Sequence, residues 1–197
     1  MENVVKLAKN IKAIVFDVDG VIFTNEVWEG FILPDGSVIR PRLRSYYDGQ
    51  GLSLLRAIGI RVACVTNEKN SNAQAIKEFV DKLNNLPSAK KLIKKGGWHP
   101  IKLYTGRGGV EKVETIEQWL GEIGISWEEC AAMGDDLVDV PLLKKVAFVA
   151  VPAQAEEVVK KMAHFIAKRE GGKGAVRDFA NFILKSRGID PMALPLQ

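Results

Sequence analysis

Carboxylates, a hydroxyl and an ammonium group follow predicted strands or begin predicted helices in this 197-residue chain. An Asp-x-Asp-Gly motif occupies residues 17–20, and Thr66 follows a strand predicted over residues 60–65. Lys112 lies near the start of a predicted helix, and a Gly-Asp-Asp motif at residues 134–136 follows a later strand. Because the carboxyl ends of parallel strands meet at one edge of a sheet, we expect these groups to converge there.

These residue types suit phosphoryl transfer. Carboxylates held close together repel one another and require a cation, and hard oxygen ligands favour Mg²⁺. One carboxylate can act as a nucleophile and form an aspartyl-phosphate. A second carboxylate, two residues on, can protonate the leaving oxygen and then activate water. A threonine hydroxyl and a lysine ammonium can stabilise charge on the phosphoryl oxygens.

None of these motifs is specific by itself. Asp-Gly pairs occur in many turns, and Thr66 or Lys112 alone would be an ordinary strand-end cap or helix lysine. The prediction depends on all four features appearing in chain order, each at a strand end or a helix start.

The elements that must position these groups alternate between short apolar strands and longer helices. The alternation predicts an α/β fold, a Rossmann-like three-layer sandwich with a mostly parallel sheet, formed by one domain over residues 1–197. The predicted strands cover residues 11–16, 60–65, 101–104, 130–133, 147–151 and 164–167. The predicted helices cover residues 52–58, 71–83, 110–123, 137–144, 154–162 and 175–187.

Two segments interrupt the alternation. Residues 21–47 are polar and aromatic and carry a turn signal at residues 34–37, which predicts a β-hairpin flap. Residues 84–100 are rich in lysine and contain prolines and glycines, which predicts a surface insertion or loop.

Composition limits the classes of partner. A net charge of +4 fits an anionic small substrate without requiring one. The apolar runs are far shorter than the roughly 20 residues that a membrane span needs, so no membrane partner is expected. The lysine run at residues 90–95 has no interleaved aromatic residues, and we expect no nucleic-acid partner. Cys64 and Cys130 lie in apolar stretches, which predicts buried free thiols in a reducing, cytoplasmic compartment.

The four motifs together resemble the haloacid dehalogenase-like phosphatases over essentially the whole chain. Residues 16–21, Thr66, Lys112 and residues 134–139 match that family's motifs in order. Members often carry a cap domain between the first and second motifs or between the second and third. Neither interval is long enough here for a full cap, so the resemblance implies a capless enzyme.

The resemblance also implies a role for each matched residue. Asp17 is expected to be the nucleophile and Asp19 the general acid/base. Mg²⁺ is expected to bind the Asp17 carboxylate, the Asp19 backbone carbonyl and Asp135. Thr66 and Lys112 are expected to bind the phosphoryl group.

Other residues in or near the matched motifs are expected to play supporting roles. By the same resemblance, Asp136 and Asp139 support the metal or orient the catalytic lysine. A substrate carboxylate would require a basic partner, and Asn67, Lys69 and Arg177 lie in matched motifs where they could contact substrate. The further basic candidates are Arg40, Arg42, Arg44 and Arg107.

Two further signatures resemble the capless branch typified by the 3-deoxy-D-manno-octulosonate 8-phosphate phosphatases. Tyr-Asp-Gly-Gln-Gly at residues 47–51 is similar to that branch's Arg-Asp-Gly-x-Gly, and residues 171–178 are similar to its C-terminal Gly-Gly-x-Gly-Ala-Val-Arg-Glu. The resemblance implies a 2-keto-3-deoxy sugar acid phosphate as substrate, of the kind used in lipopolysaccharide biosynthesis. It also implies a homotetramer in which neighbouring subunits cover the site.

The second motif departs from that branch and leaves alternatives open. Residues 66–69 are Thr-Asn-Glu-Lys, where the octulosonate phosphatases usually have Thr-Gly-Arg. A Thr-x-Glu-Lys run is similar to the 2-keto-3-deoxynononate 9-phosphate phosphatases and to the phosphatase-like domains attached to sialate cytidylyltransferases. A nine-carbon substrate, or another small phosphate ester, is therefore an alternative.

Two non-hydrolytic classes fit less well. Phospho-receiver domains place their phosphorylated aspartate after the third strand, whereas this Asp-x-Asp follows the first. A non-catalytic assembly module derived from a phosphatase would not need every catalytic position filled, as they are here.

Overall fold

Among the described residues, six strands form one parallel sheet and two more form a hairpin beside it. The protein is represented by a computed structural model, which describes residues 2–28 and 30–195, with Ile39 described by its backbone alone. The strands are β1 Ala13–Asp17, β2 Phe31–Ile32, β3 Val38–Ile39, β4 Arg61–Val65, β5 Lys102–Tyr104, β6 Cys130–Met133, β7 Phe148–Val151 and β8 Phe165–Ile166. The sheet order is β5-β4-β1-β6-β7-β8, so the carboxyl end of β1 lies between those of β4 and β6.

Helices cover both faces of the sheet. They are α1 Glu2–Asn10, α2 Tyr46–Ala57, α3 Gln74–Asn85, α4 Pro87–Lys94, α5 Val110–Ile123, α6 Val140–Leu143, α7 Glu157–Lys160 and α8 Ala175–Ser186. Successive β1 side chains alternate between the two cores. Ile14 and Phe16 pack with α1, α2, α3 and α8, whereas Ala13 and Val15 pack with α5, α6 and α7. Burial on both faces explains the continuous apolar run of this strand, and the predicted three-layer α/β fold is confirmed.

Helix α2 begins earlier than the sequence predicted, at Tyr46 rather than at residue 52. The Ser45 side chain caps it by accepting a hydrogen bond from the N–H of the second helical residue. Gly51, within this helix, has a packing function. A Cβ at Gly51 would come within 3.0 Å of the Arg177 Cα, so glycine lets α2 and α8 approach closely.

The prediction of a loop over residues 84–100 was wrong in part, because the segment contains α4. Pro87 occupies the first turn of this helix, where a missing N–H costs nothing. Beyond the helix, Trp98 is 2% exposed and lies under the Arg56 guanidinium, 4.8 Å from ring centroid to Cζ. The lysines face solvent, but the segment that carries them is anchored to the core.

Other differences concern helix ends. The helix predicted over residues 71–83 begins later than expected, because Ser71 lies within a 3₁₀ turn, Asn70–Ala73, that precedes α3. The helix predicted over residues 137–144 divides into a 3₁₀ turn at Leu137–Asp139 followed by α6. Only four residues of the helix predicted over 154–162 are α-helical, and α1 had not been predicted.

The predicted flap is a hairpin formed by β2 and β3. Its turn is held by Asp35, whose carboxylate accepts hydrogen bonds from the Ser37 N–H and hydroxyl at 2.9 and 2.7 Å. Trp28 and Phe31 are each 51% exposed on the flap. Glu29, within the flap, lies outside the described residues. Across the described parts of the chain, every helix is too short or too polar to cross a bilayer.

Candidate active site

The predicted catalytic residues meet at the carboxyl edge of the central strands. Asp17 is the last residue of β1, Thr66 follows β4, and a short loop after β6 carries the Gly-Asp-Asp motif. A cavity of about 440 Å³ opens at this edge. Of the residues predicted from sequence, those that line the cavity are Asp17, Asp19, Arg42, Thr66, Asn67, Lys112, Asp135 and Asp136.

Lys112 joins two carboxylates at the base of this cavity. Its Nζ lies 2.5 Å from Asp17 Oδ1 and 2.6 Å from Asp139 Oδ1, and the side chain is 1% exposed. Burial lowers the pKa of Lys112, but the two carboxylates outweigh burial and raise it. The lysine is therefore a fixed positive charge. The second Asp139 oxygen accepts a hydrogen bond from the Asp135 N–H at 3.0 Å, so Asp139 connects the lysine to the loop after β6.

The carboxylates in this cluster carry more charge than the one cation, Lys112, can neutralise. Oxygens of Asp17, Asp135 and Asp139 lie within 4.8 Å of one another. Burial raises the pKa of Asp17 to about 8, with Asp139 adding to the rise and Lys112 opposing it. Burial, Asp139 and Asp136 raise the pKa of Asp135 to about 7. Asp135 Oδ1 is buried without a hydrogen-bond partner. This surplus of negative charge and the unsatisfied oxygen fit a hard divalent cation such as Mg²⁺.

Asp19 lines the cavity and contacts two other side chains. Thr66 Oγ1 donates a hydrogen bond to Asp19 Oδ2 at 3.2 Å, and itself accepts one from the Glu68 N–H at 3.0 Å. The other Asp19 oxygen forms an ion pair with Arg42 from the flap. The sequence offered Arg42 only as one of several basic candidates, because contacts between loops distant in the chain leave no periodic signal.

A backbone contact shapes the loop that carries Asp17 and Asp19. Gly20 has φ +83°, and a Cβ there would lie 2.0 Å from the Asp135 carboxylate, so only glycine fits. Gln154 donates a hydrogen bond to the Gly20 carbonyl at 2.7 Å and accepts one from the Gly171 N–H at 2.8 Å. Sequence reasoning missed Gln154, which stands outside every motif.

The two branch signatures contact each other. Asp48 accepts hydrogen bonds from the backbone N–H groups of Gly174 and Arg177, at 3.0 and 3.1 Å. Burial raises the pKa of Asp48 to about 6, while these bonds oppose the rise. The Arg177 side chain donates to Gln50 and Asn181 and lines a separate cavity beside α8. The structure therefore does not bring Arg177 to the cavity at the sheet edge.

Of the two candidate substrate-binding residues after Thr66, one lines the cavity at the sheet edge and the other does not. Asn67 is exposed and lines the cavity at the sheet edge. Lys69 instead packs over Gly106, where a Cβ would lie 3.0 Å from Lys69 Cε, and it is not among the residues lining that cavity. Of the substrate contacts expected from the motifs, only Asn67 reaches the cavity.

Comparison with protein families now adds to this geometry. Residues 46–178, more than half of the chain, match the model of the haloacid dehalogenase-like hydrolases. The chain belongs to this family. The matched span includes Thr66, Lys112 and Asp135 and begins after Asp17. The prediction of an enzyme is confirmed, since the family is one of hydrolases.

Individual relatives of this hydrolase cover almost its full length. The 3-deoxy-D-manno-octulosonate 8-phosphate phosphatase KdsC of Yersinia pestis is 28% identical over 183 residues, 93% of this chain and 84% of the relative. A probable YrbI family phosphatase from Pseudomonas syringae has a crystal structure that matches with TM-score 0.72 and 30% identity, covering 95% of this chain and 93% of that one.

A third relative supports the fold and shows what a similar protein binds. The octulosonate 8-phosphate phosphatase of Moraxella catarrhalis matches with TM-score 0.75 and 23% identity, covering 94% of this hydrolase and 92% of that chain. Its crystal structure is a complex with a magnesium ion, a phosphate ion and KDO.

Proposed function

We propose that this hydrolase is a Mg²⁺-dependent phosphomonoesterase that acts through an aspartyl-phosphate on a 2-keto-3-deoxy sugar acid phosphate of the octulosonate 8-phosphate type. The observation that carries the proposal is the buried Asp17–Lys112–Asp139 cluster at the end of the central strand. The curated relatives, at 27–28% identity over most of the chain, support the substrate class.

The reaction begins at Asp17 in this proposal. An Asp17 oxygen attacks phosphorus, the bond from phosphorus to the ester oxygen breaks, and Asp19 gives its proton to the departing alkoxide. Lys112 and Thr66 stabilise negative charge on the phosphoryl oxygens. In the second step Asp19 takes a proton from water, and the resulting hydroxide attacks phosphorus. The bond between phosphorus and the Asp17 oxygen breaks, which releases inorganic phosphate and regenerates the Asp17 carboxylate. Substrate hydrolysis thus balances with one water consumed.

The metal site of the proposal consists of the Asp17 and Asp135 carboxylates and the Asp19 backbone carbonyl. When bound, Mg²⁺ would supply the positive charge that the buried carboxylates lack and would offset charge on the phosphoryl group. Asp139 is engaged by Lys112 at 2.6 Å, so we assign it to orienting the lysine. Asp136 is exposed at the cavity rim and supports the site from there.

We also propose an oligomeric state and a cellular compartment for this hydrolase. We place the active form as a homotetramer, and the exposed flap residues Trp28 and Phe31 support a protein–protein contact at the flap. Light scattering at micromolar concentration tests this: a tetrameric mass is expected, and a monomeric mass contradicts it. Cys64 and Cys130 are both free and buried, which supports a reducing, cytoplasmic location.

The deciding experiment compares kcat/KM for the octulosonate 8-phosphate and the nononate 9-phosphate with Mg²⁺ present. A preference of about a hundredfold, or about 2.7 kcal/mol of transition-state binding, would identify the substrate. We expect the higher kcat/KM for the eight-carbon ester. A higher kcat/KM for the nine-carbon ester would support the alternative and would make Glu68 and Lys69 the residues to mutate. Slow turnover of both would contradict the substrate class and leave the phosphatase chemistry.

A further inference from the structure

A second cavity adjoins the catalytic one beneath the flap. It measures about 380 Å³, and Val27, Arg42 and Glu68 line both cavities. Its other walls carry hydrogen-bonding groups and one indole ring, which suit a hydroxyl-rich molecule. These residues include Trp28, Ser71, Asn72 and Gln74. A phosphate ester bound at Asp17 could therefore extend its body into this second cavity.

Arg42 stands at the boundary between the two cavities. Its guanidinium forms an ion pair with Asp19, and it lies 5.6 Å from the centroid of the Phe23 ring. The Arg42 side chain is 17% exposed, so it is held in place more firmly than a surface arginine. Asp19 is the carboxylate to which the proposed reaction assigns proton transfer, and the resting protein holds it against a fixed cation.

The neighbouring flap arginines do not share this position. Arg40 lines the second cavity without reaching the first. Arg44 stacks on Phe79, 4.2 Å from guanidinium carbon to ring centroid, and lines a third cavity between α2 and α3. Among the flap arginines, Arg42 is the one that lines both the catalytic cavity and the cavity beside it.

We propose that Arg42 determines substrate specificity by exchanging partners: it binds a carboxylate on the substrate body in the second cavity and thereby releases Asp19. A guanidinium binds carboxylates through two parallel hydrogen bonds, so a substrate carboxylate can replace Asp19 as its partner. Substrates that carry an anion at this position free the general acid/base, whereas neutral esters leave it paired. This inference rests on the proposed function, because it assigns a site to the acid group of the sugar acid.

The test compares two substrates across three variants. The substrates are octulosonate 8-phosphate and a hexose 6-phosphate, which has no carboxylate. The variants are Arg42→Ala, Arg42→Lys and, as a matched control on the same flap segment after β3, Arg44→Ala. Thermal melting of each variant, with and without Mg²⁺, shows whether it is folded before its kinetics are compared.

We expect Arg42→Ala to lower kcat/KM for the octulosonate ester about thirtyfold, mainly through KM, because one charge-assisted contact is lost. For the hexose ester the same variant should raise kcat, because Asp19 is no longer paired. For the acid ester, Arg42→Lys should have a KM between those of the wild type and Arg42→Ala, since lysine keeps the charge but loses the paired hydrogen bonds. Arg44→Ala should change neither substrate's kcat/KM by more than about twofold.

Three results would overturn the exchange. Equal losses for both esters in Arg42→Ala would mean that the arginine acts on folding or on the phosphoryl group, with the proposed function intact. An equal effect of Arg44→Ala would mean that the flap as a whole is responsible. If the wild-type protein hydrolyses the hexose ester but not the sugar acid ester, the proposed function fails and the exchange fails with it.

Discussion

Two buried cations, Lys112 in α5 and Arg56 in α2, show how differently one fold can use a positive charge. Each is at most 1% exposed. Lys112 contacts two carboxylates within 2.6 Å. Arg56 donates to the backbone carbonyls of His99 at 2.9 Å and Leu83 at 3.4 Å and stacks on an indole ring.

Their pKa values shift in opposite directions. Burial lowers the pKa of Arg56 to about 10, with no carboxylate to offset it. Burial also lowers that of Lys112, but Asp17 and Asp139 raise it further than burial lowers it. Burial of a cation is therefore no sign of catalysis. The surrounding carboxylates are what distinguish Lys112, the proposed catalytic lysine, from Arg56, which fastens α3 and the segment after α4 to the core.

Removing the proposed nucleophile should have the largest effect. In Asp17→Asn, hydrolysis should fall at least about 10⁴-fold, because the amide cannot form the phosphoryl intermediate. The melting temperature should not fall, since the change removes a carboxylate whose ionised form is disfavoured by burial. Steady-state kinetics and a thermal melt test this. Residual activity above about one-tenth of wild type would contradict the assignment of Asp17.

Lys112→Ala should combine a catalytic and a structural loss. We expect kcat to fall roughly a thousandfold, because a fixed donor to the phosphoryl group is lost. Leaving Asp17 and Asp139 without their cation should also lower the free energy of unfolding by about 3 kcal/mol. Denaturant unfolding and single-turnover kinetics separate the two losses. A folded variant with near-normal kcat would contradict the catalytic role.

Arg56→Ala is the matched contrast and should affect stability alone. The lost packing on Trp98 and the unsatisfied carbonyls of His99 and Leu83 should cost about 3 kcal/mol of unfolding free energy. Well below its melting temperature, the variant should retain kcat within about twofold, because the arginine lies outside the active-site contacts. A large loss of kcat in a fully folded Arg56→Ala protein would show that the two cations are coupled.

The smallest expected effect is a dependence of metal stabilisation on pH. In the folded protein without metal, the pKa of Asp17 is about 8 and that of Asp135 about 7, well above the unfolded values. The folded state therefore holds protons that the unfolded chain has lost, and unfolding free energy falls as pH rises from about 4 to 8.

Because Mg²⁺ binds the ionised carboxylates, it should raise the melting temperature by several degrees more at pH 8.5 than at pH 6. Arg56→Ala should retain this difference, while Asp17→Asn should reduce it. Thermal melts with Mg²⁺ or with a chelator provide the measurement. Equal stabilisation by Mg²⁺ at both pH values would contradict the raised pKa values of the cluster.

Much of this arrangement could be predicted from the sequence, because its signals lie in short, contiguous stretches of residues. Apolar runs that end in Asp17 or Thr66 identify a strand and the residue that follows it, and parallel strands bring such residues together. Helix α5 was predicted with its actual bounds because Gly124, in the left-handed conformation, ends it. Helix α4 was missed because its lysines suggested a solvated loop.

What could not be predicted depends on contacts between segments far apart in the chain. The Asp19–Arg42 pair joins the first strand's loop to the flap, and the Gln154 contact with Gly20 spans 134 residues. Residue type does not reveal such partners. Lys69 and Arg177 show the opposite error. Their motifs predicted a contact with substrate, but their side chains lie outside the cavity at the sheet edge.

The close approach of Gly171 to Gly20 has a consequence for the order of assembly. A Cβ at Gly171 would overlap the Gly20 carbonyl oxygen, so the loop beside the nucleophile reaches its final shape only against the glycine-rich turn before α8. During synthesis this turn leaves the ribosome long after Asp17, and a domain generally folds as a unit once its segments have emerged. A nascent chain that ends before residue 171 would already contain all of the proposed catalytic carboxylates without the turn that supports the loop after Asp17. Hydrolysis should therefore begin only after the turn that contains Gly171 has been synthesised.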